Sequence, residues 1–367
     1  MQRSGKNERS CYFAEKRQAC LPFVEEIAVD DPNSHGAGQP MRVAVVGLGA
    51  VGGLIAARMA AAGHAVSALA RGETLARVRE RGLVVESAGK RSVARIVVDE
   101  DARALGPQEL VVIALKAPAL AALAPQIAAL TGPATVLLPA MNGVPWWFMP
   151  AAAPSEPPLE SVDPGGRLRA ALPIARVLGC VVHLAASCPE PGLVRHGFGE
   201  RLIVGEPAGG ESARVGAVCA ALAESGFEAE ASTDVRREVW YKLWGNMTMN
   251  PVSALTGAES DAILDDPLVH AFMMRTMAEA AAIGERIGCP IAQSGEERMG
   301  LARKLGSFKT SMLQDALAGR PIELDALVSA VHEIGARVGV ATPNIGALLG
   351  LTRLMAQQRG LYPARSA

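Results

Sequence analysis

The chain has 367 residues, of which 50% are hydrophobic and 20% are charged. With 36 Lys and Arg against 37 Asp and Glu, the formal net charge is −1, so the cationic surplus that phosphate neutralisation needs is absent and a nucleic-acid binder is excluded. The length predicts two domains of ordinary size, and the apolar content excludes a largely disordered chain.

The cysteines and the apolar stretches both argue against an exported or membrane protein. The six cysteines form no C-x-x-C pair and no zinc-like spacing, so we expect reduced thiols, no metal and a cytoplasmic location. No secretory signal is evident at the start of the chain. The uncharged stretch from Ala117 to Ser155 is broken repeatedly by prolines, and a membrane span needs about 20 apolar residues in one run.

Residues 1–40 are polar and lack periodicity, which predicts a disordered extension. Met41 stands directly before the first strand-like run. Our hypothesis is that Met41 is the biological start of translation.

From Met41 onward, short β-branched runs alternate with Ala- and Leu-rich stretches, which predicts an α/β fold with a Rossmann-type parallel sheet over residues 41–232. From residue 233 to about 360, helical periodicity continues with few strand signals, which predicts an all-helical second domain. A Pro-rich segment, Pro150 to Gly166, is expected to be a surface loop. The elements predicted within the first domain are strands Val43–Val46, Ala65–Leu69, Leu110–Leu115, Thr135–Leu138, Gly179–Leu184 and Leu202–Gly205, and helix Leu54–Ala62.

A glycine-rich turn follows the first strand, where Gly47-Leu48-Gly49-Ala50-Val51-Gly52 fits G-x-G-x-x-G. In this motif the glycines allow a tight turn, close approach of a pyrophosphate and tight packing of helix on strand. The following helix offers unpaired N–H groups to the phosphates. The position between strand and helix favours dinucleotide binding over a ligand-free turn.

Two basic residues follow later strands. Arg71 stands where an NAD-binding protein would carry Asp or Glu, so it favours NADPH through a 2′-phosphate. Arg71 as a solvated loop residue, with Glu73 nearby, is the alternative. Lys116 ends the next strand, at the sheet edge where ligands bind, and its position fits a cofactor contact and a plain surface residue about equally.

In the second half, Lys242, Asn246 and Asn250 follow i, i+4, i+8 spacing on an otherwise apolar helix, which Pro251 is expected to limit. Three polar side chains on one face of such a helix need polar partners. Ser311 could cap a helix or bind an anion. Glu323 alone is most typical of an acidic residue in a first helical turn.

Taken together, these motifs resemble the ketopantoate reductase (2-dehydropantoate 2-reductase) family over residues 41 to about 355. The resemblance is carried by order and spacing: Gly47-x-Gly49-x-x-Gly52, Lys116, Asn142-Gly143, Lys242/Asn246/Asn250-Pro251, and Ser311-Met312-Leu313-Gln314-Asp315 followed by Glu323. It implies a Rossmann domain joined to a helical domain, with the active site between them. It also implies NADPH-dependent reduction of 2-dehydropantoate to (R)-pantoate, on the route to pantothenate and coenzyme A.

The resemblance also implies roles for single residues. Lys242 would be the general acid, and Glu323 would orient it and contact the substrate or the cofactor ribose. Asn246, Asn250 and Ser311, with Lys242, would bind the acid, and Asn142 would lie beside the nicotinamide ribose. The expected partners are a small 2-oxo acid, neither nucleic acid nor membrane, and as a hypothesis a second copy in a homodimer.

Two departures from the family pattern bear on the substrate. Trp146 and Trp147 follow Asn142-Gly143, and Ser260 stands where a substrate-binding asparagine is expected. The tryptophans fit loop anchoring and substrate contact about equally. Two alternatives therefore stay open: a reductase of another branched or aromatic 2-oxo acid, and a non-catalytic NADPH-binding sensor.

Overall fold

The chain joins a sheet-rich N-terminal part to a C-terminal part built from helices, in a computed structural model that describes residues 24–26, 40–152 and 155–363. Most of the predicted disordered extension lies outside the described residues. The structure departs from that prediction at Val24–Glu26, which form a short strand. Within the described residues, every helix is too short or too polar to span a lipid bilayer.

The strands follow one another in the first 232 residues. In chain order they are β1 Val24–Glu26, β2 Arg42–Val46, β3 Ala65–Leu69, β4 Leu83–Ser87, β5 Lys90–Ala94, β6 Val97–Asp99, β7 Gln108–Ile113, β8 Thr131–Pro139, β9 Gly179–Glu190, β10 Leu193–Gly205 and β11 Glu228–Ser232.

The helices lie between these strands and then make up the C-terminal part. In chain order they are α1 Ala50–Ala61, α2 Gly72–Arg81, α3 Ala102–Leu105, α4 Ala117–Ala129, α5 Phe148–Ala152, α6 Arg167–Ala171, α7 Ala213–Glu224, α8 Val235–Thr256, α9 Ser260–Asp265, α10 Pro267–Arg286, α11 Gly295–Arg303, α12 Ser311–Leu317, α13 Ala330–Arg337 and α14 Pro343–Gln358, with 3-10 turns at Pro164–Gly166 and Ile174–Arg176 and a π-helical turn at Asp325–Ser329.

The first sheet has five parallel strands in the order β6-β3-β2-β7-β8. Numbered among themselves, these strands run 3-2-1-4-5, which is the doubly wound order of dinucleotide-binding domains. Val43 to Val46 are fully buried, as expected for a strand covered on both faces. The predicted parallel sheet is confirmed, although α1 begins four residues before the predicted start at Leu54.

A second sheet, which the sequence did not indicate, packs beside the first. It contains β1, β5, β4, β10 and β11 in that order, and β9 pairs with β10. The two predicted short strands, Gly179–Leu184 and Leu202–Gly205, belong to a longer antiparallel hairpin with irregular register. The turn of this hairpin reaches the end of the first sheet.

The all-helical character of the C-terminal part is confirmed, since the described residues beyond Ser232 form helices and turns. The division into domains at residue 232 stays a prediction. One expectation is wrong: α8 does not stop at Pro251 but continues to Thr256, where Gly257 adopts a left-handed conformation. Proline removes one backbone hydrogen bond, and the burial of Pro251 and its neighbours outweighs that loss.

The Pro150–Gly166 segment is also more ordered than a surface loop. Its first residues belong to α5, and Leu159 and Asp163 are buried. The Asp163 carboxylate accepts hydrogen bonds from the backbone N–H groups of Leu168 (2.7 Å) and Arg169 (3.1 Å). The prediction of a surface loop rested on the prolines alone. It did not anticipate that the buried Asp163 carboxylate would hydrogen-bond the start of α6.

A continuous apolar cluster joins the two parts of the chain. It includes Val46 and Ile113 from the first sheet and Ile345 from α14. Between them Phe148 stacks on Trp240 of α8, with ring centroids 5.9 Å apart. The helical part is thus held against the sheet edge where the predicted ligand-binding residues lie.

Candidate active site

The glycine turn after β2 is built from close backbone contacts. Gly47 has a φ of +100°, and a Cβ at Gly52 would lie 2.0 Å from the Gly47 carbonyl oxygen. A Cβ at Gly49 would instead meet nothing within 4 Å. Gly49 is the N-cap of α1 and its position lacks a side-chain cap, so none of the described side chains caps the first N–H groups of the helix in this way. This arrangement fits a diphosphate, since it combines open backbone with a helix N-terminus.

A cavity of about 390 Å³ opens in front of this turn. Its apolar wall includes Leu69, Leu115 and Leu123, and Arg71 lies in its lining. The Arg71 side chain is exposed and makes no ion pair with any described residue. The remaining residues of the lining include Glu100 and the hairpin turn Cys188–Pro191, in which Glu190 pairs with Arg81.

The Lys242 ammonium lies where the two parts of the chain meet. It donates hydrogen bonds to Asn142 Oδ1 (2.8 Å) and to the Val182 carbonyl oxygen (2.5 Å). Asn142 follows the carboxyl end of β8, and the Val144 N–H next to it donates to the Ala326 carbonyl oxygen in the helical part (2.8 Å). Burial lowers the pKa of Lys242 to about 8, against the opposing attraction of Glu323. The structure thus brings Lys242 and Asn142 together, and the roles that the resemblance implies for them stay predictions.

Glu323 lies in a second charged group with Lys116. Burial raises the pKa of Glu323 to about 7, while Lys116, a hydrogen bond from the Ala117 N–H and Lys242 act to lower it. The Lys116 ammonium lies 2.7 Å from Asp315 Oδ2 and donates to the Pro321 carbonyl oxygen at 3.1 Å. Lys116 therefore links the end of the first sheet to the helical part.

The two asparagines of α8 line a further cavity, of about 450 Å³. Asn246 borders both this cavity and the narrow space that contains Lys242 and Asn142. The two spaces are therefore adjacent. Much of the larger cavity is apolar, with Met249, Met299, Leu305 and Phe308 in its lining.

Ser311 is not brought to these cavities, which lack it in their linings. It is exposed in the first turn of α12, and Thr310 rather than Ser311 caps that helix by accepting from the Leu313 N–H (3.2 Å). Of the two roles left open for Ser311, capping is therefore wrong, and anion binding stays a prediction. Threonine, at the preceding position, is also a favoured N-cap residue.

The two departures from the family pattern have structural roles. Trp146 and Trp147 are 3% and 1% exposed and lie in the apolar core, so of the two interpretations left open the structure favours anchoring. The Ser260 hydroxyl donates to the Gly306 carbonyl oxygen and accepts from the Phe308 N–H, both at 3.0 Å. Neither observation supports an altered substrate.

Sequence reasoning missed three contributors to the site. Asp315 was noted only as part of a motif, although it pairs with Lys116. The Val182 carbonyl oxygen could not be found from side-chain patterns, because it belongs to the backbone of β9. Arg298 of α11 lines the larger cavity, and only its place on a helix with Met299 and Ala302 hinted at a buried face.

Both parts of the chain match family models. Residues 43–209 match the model described as "Ketopantoate reductase PanE/ApbA", and residues 234–356 match "Ketopantoate reductase PanE/ApbA C terminal". The 2-dehydropantoate 2-reductase of Mesorhizobium japonicum is 42% identical over 325 residues, which are 88% of this chain and 100% of that protein. The enzyme of the same name from Halobacterium salinarum is 31% identical and covers 87% of this chain and 100% of its own length.

The fold has solved counterparts. A Ralstonia solanacearum protein whose crystal structure is assigned to the ketopantoate reductases superposes with a TM-score of 0.85 at 54% identity, covering 88% of this chain and 99% of that one. The 2-dehydropantoate 2-reductase of Methylococcus capsulatus superposes with a TM-score of 0.75 at 25% identity, over 88% and 98% of the two chains.

Proposed function

This chain belongs to the ketopantoate reductase family of nicotinamide-dependent oxidoreductases, and we propose that it uses NADPH to reduce 2-dehydropantoate to (R)-pantoate, a step toward pantothenate and coenzyme A. The observation that carries the proposal is the position of Lys242. Its ammonium, Asn142 and Asn246 share one narrow space at the carboxyl edge of the first sheet, where ligands of such sheets bind.

The residues around the glycine turn fit a dinucleotide. Gly49 and the uncapped start of α1 would hold the diphosphate, and the 390 Å³ cavity would take the adenosine. Asn142 would lie beside the nicotinamide ribose. When bound, the reduced nicotinamide supplies the hydride.

Lys242 is arranged to give a proton to the substrate ketone. An ammonium has three N–H donors, and two of them already bond Asn142 and Val182. The third remains for the ketone oxygen, where negative charge develops as the carbonyl carbon is reduced. With its pKa lowered to about 8 by burial, the group is protonated at neutral pH and still gives up its proton readily.

Glu323 supports this chemistry through charge. Its carboxylate attracts Lys242 and Lys116, and both lysines in turn favour its ionised form. We propose that Glu323 orients Lys242 and contacts the substrate or the cofactor ribose. Asn246 and Asn250 would hold the polar groups of the acid. For Ser311, exposed in this structure, the substrate-binding role needs a movement of α12 toward the cavity.

The substrate assignment is tested by comparing kcat/KM for 2-dehydropantoate with kcat/KM for a panel of branched and aromatic 2-oxo acids, with NADPH as reductant. We expect 2-dehydropantoate to rank first. Trp146 and Trp147 are buried in the core, so their side chains do not narrow the proposed substrate cleft. A large preference for another acid would instead favour the alternative reductase. Absence of turnover on every acid would favour the NADPH-binding sensor.

Arg71 is expected to select NADPH over NADH. Arg71 lines the cofactor cavity, and its exposed side chain forms no ion pair with any described residue, so its guanidinium is available to a 2′-phosphate as a charge-assisted partner. Such bonds contribute about 1.5–3 kcal/mol. We therefore expect Arg71→Ala to lower the ratio of kcat/KM for NADPH over NADH by about 10- to 100-fold.

The matched control is Arg77→Ala, which removes a partly exposed arginine of helix α2. Among the described residues, Arg77 forms an ion pair only with Glu73. The ratio should stay as in the wild-type protein. If Arg71→Ala also leaves the ratio unchanged, Arg71 is not the residue that selects the cofactor.

A further inference from the structure

Arg298 carries a charge that none of the described residues neutralises. Its guanidinium lies over the Tyr241 ring, 4.9 Å from the centroid. Its Nε is buried and has no hydrogen-bond partner, and the side chain forms no ion pair with any residue in the described ranges. The residue as a whole is half-buried, and a partly desolvated cation without an anionic partner is costly. The arrangement is therefore suited to an anion that arrives from outside.

The backbone of α8 leaves room for this guanidinium. A Cβ at Gly245 would lie 3.2 Å from both Nε and Nη2 of Arg298, which is tighter than ordinary contact. Tyr241 and Gly245 are one helical turn apart, and each directly precedes a residue of the proposed site, Lys242 or Asn246. Since one residue advances a helix by only about 1.5 Å, Arg298 lies at the same height along α8 as Lys242 and Asn246.

Arg298 also faces the same space as the asparagines. It lines the 450 Å³ cavity together with Asn246 and Asn250, and the described residues in that lining include Lys304 but no acidic residue. His183 responds to the same positive region: burial lowers its pKa to about 4, and Lys242, Arg201 and Arg298 lower it further, with Glu230 opposing. Lys242 and Arg298 thus both lie within electrostatic range of His183.

Ser260 stands where the family pattern has an asparagine that donates a hydrogen bond to the substrate. The resemblance predicts an asparagine at this position, but both hydrogen-bonding capacities of the Ser260 hydroxyl are used by the Gly306–Phe308 turn. The substrate therefore lacks that donor in this chain. Arg298, on the neighbouring helix, offers several N–H groups to the same cavity.

We infer that Arg298 binds the carboxylate of the 2-oxo acid, an inference that rests on the proposed reductase function. In such an acid the carboxylate is bonded directly to the ketone carbon. A ketone oxygen on Lys242 therefore places the carboxylate close to that lysine, and Asn246 borders both the space that contains Lys242 and the cavity that Arg298 lines. The planar guanidinium can donate two parallel hydrogen bonds, one to each carboxylate oxygen.

The test compares Arg298→Met with the wild-type protein on two substrates, 2-dehydropantoate and its methyl ester. We expect Arg298→Met to lower kcat/KM for the acid by about 10- to 100-fold, chiefly through KM, as for loss of a charge-assisted bond. The KM for NADPH should be unchanged. Since the ester lacks the charge, its kcat/KM should change little, so the preference for the acid over the ester should fall by a similar factor.

Two further variants separate binding from folding. Arg298→Lys keeps the charge and should recover part of the preference for the acid. Arg286→Met removes an exposed arginine from the last turn of α10 and should leave both substrates unaffected. If Arg298→Met lowers kcat/KM equally for acid and ester, or lowers neither, Arg298 does not bind the carboxylate.

Failure of the proposed function would be visible separately, as absence of turnover on 2-dehydropantoate by the wild-type protein. In that case calorimetry with oxamate, a small mimic of a 2-oxo acid, still tests Arg298. A Kd at least about 10-fold weaker for Arg298→Met than for the wild-type protein supports the carboxylate site. Equal Kd values, or no binding to the wild-type protein, overturn it.

Discussion

Replacing Lys242 with alanine is expected to lower kcat by about 10²- to 10⁴-fold, the range that a general acid contributes. NADPH affinity should be largely kept, because Lys242 is absent from the lining of the cofactor cavity. Stopped-flow reduction of 2-dehydropantoate gives kcat, and NADPH fluorescence titration gives the Kd. Turnover near the wild-type rate would reject Lys242 as the proton donor.

The pH profile adds a signature that a structural role would not produce. A general acid with its pKa at about 8 is protonated below that pH and loses its proton above it. In the wild-type protein, kcat/KM should therefore fall about tenfold per unit as pH rises beyond about 8. Lys242→Ala should lack this decline, whereas Lys90→Ala, which removes an exposed lysine from β5, should keep it.

Thermal unfolding of Lys242→Ala should be measured alongside. Removing the ammonium leaves Asn142 Oδ1 and the Val182 carbonyl oxygen without their donor. An unsatisfied buried acceptor costs about 1–3 kcal/mol. A lower Tm is therefore compatible with the assignment, provided that NADPH still binds to the variant.

Gly52→Ala is expected to weaken NADPH binding by at least about 100-fold and to destabilise the fold. The added Cβ would lie 2.0 Å from the Gly47 carbonyl oxygen and 2.8 Å from Ala114 Cβ. The start of α1 would have to move away from the glycine turn, and overpacking of this kind costs about 1–3 kcal/mol. Fluorescence titration and thermal unfolding measure the two effects.

Two other glycines serve as controls for this variant. A Cβ added at Gly216, which is exposed in α7, would have nothing within 4 Å, and Gly216→Ala should be neutral or stabilising by up to about 1 kcal/mol. Gly49→Ala should also fold normally, because its Cβ meets open space. It should nevertheless weaken NADPH binding, since the methyl group would enter the space of the diphosphate. Normal NADPH affinity in Gly52→Ala would contradict the proposal that the glycine turn and the start of α1 bind the diphosphate.

Four strands of the parallel sheet, β2, β3, β7 and β8, were predictable from sequence because each contains a short buried apolar run next to a helix. The edge strand β6 was not predicted, since it is short and partly exposed. The β-branched residues of β2 are typical of a strand, and β3 has the same bounds in the structure as in the prediction. The second sheet was not predictable in the same way. Its strands β4 and β5 are partly exposed and short, and β4 pairs with β10, more than 100 residues later in the chain.

The candidate site divides along a similar line. Lys242, Asn246 and Asn250 could be grouped in advance, since a helix places residues four apart on one face. The partners of Lys242 could not, because Asn142 and Val182 come from distant parts of the chain and one of them contributes only its backbone. Arg298 escaped notice for the same reason: its importance lies in the absent side chain of Gly245 and in the cavity it faces.

The stacking of Phe148 on Trp240 has a consequence for how this enzyme can diversify. Side chains from both parts of the chain form one apolar core, so each part would expose apolar side chains if it were separated from the other. A chimera that took its dinucleotide-binding part from one relative and its helical part from another would have to preserve the aromatic packing between the two parts. Substitutions confined to the polar cleft avoid that constraint. Substrate preference is therefore easier to change than the packing between the two parts of the chain.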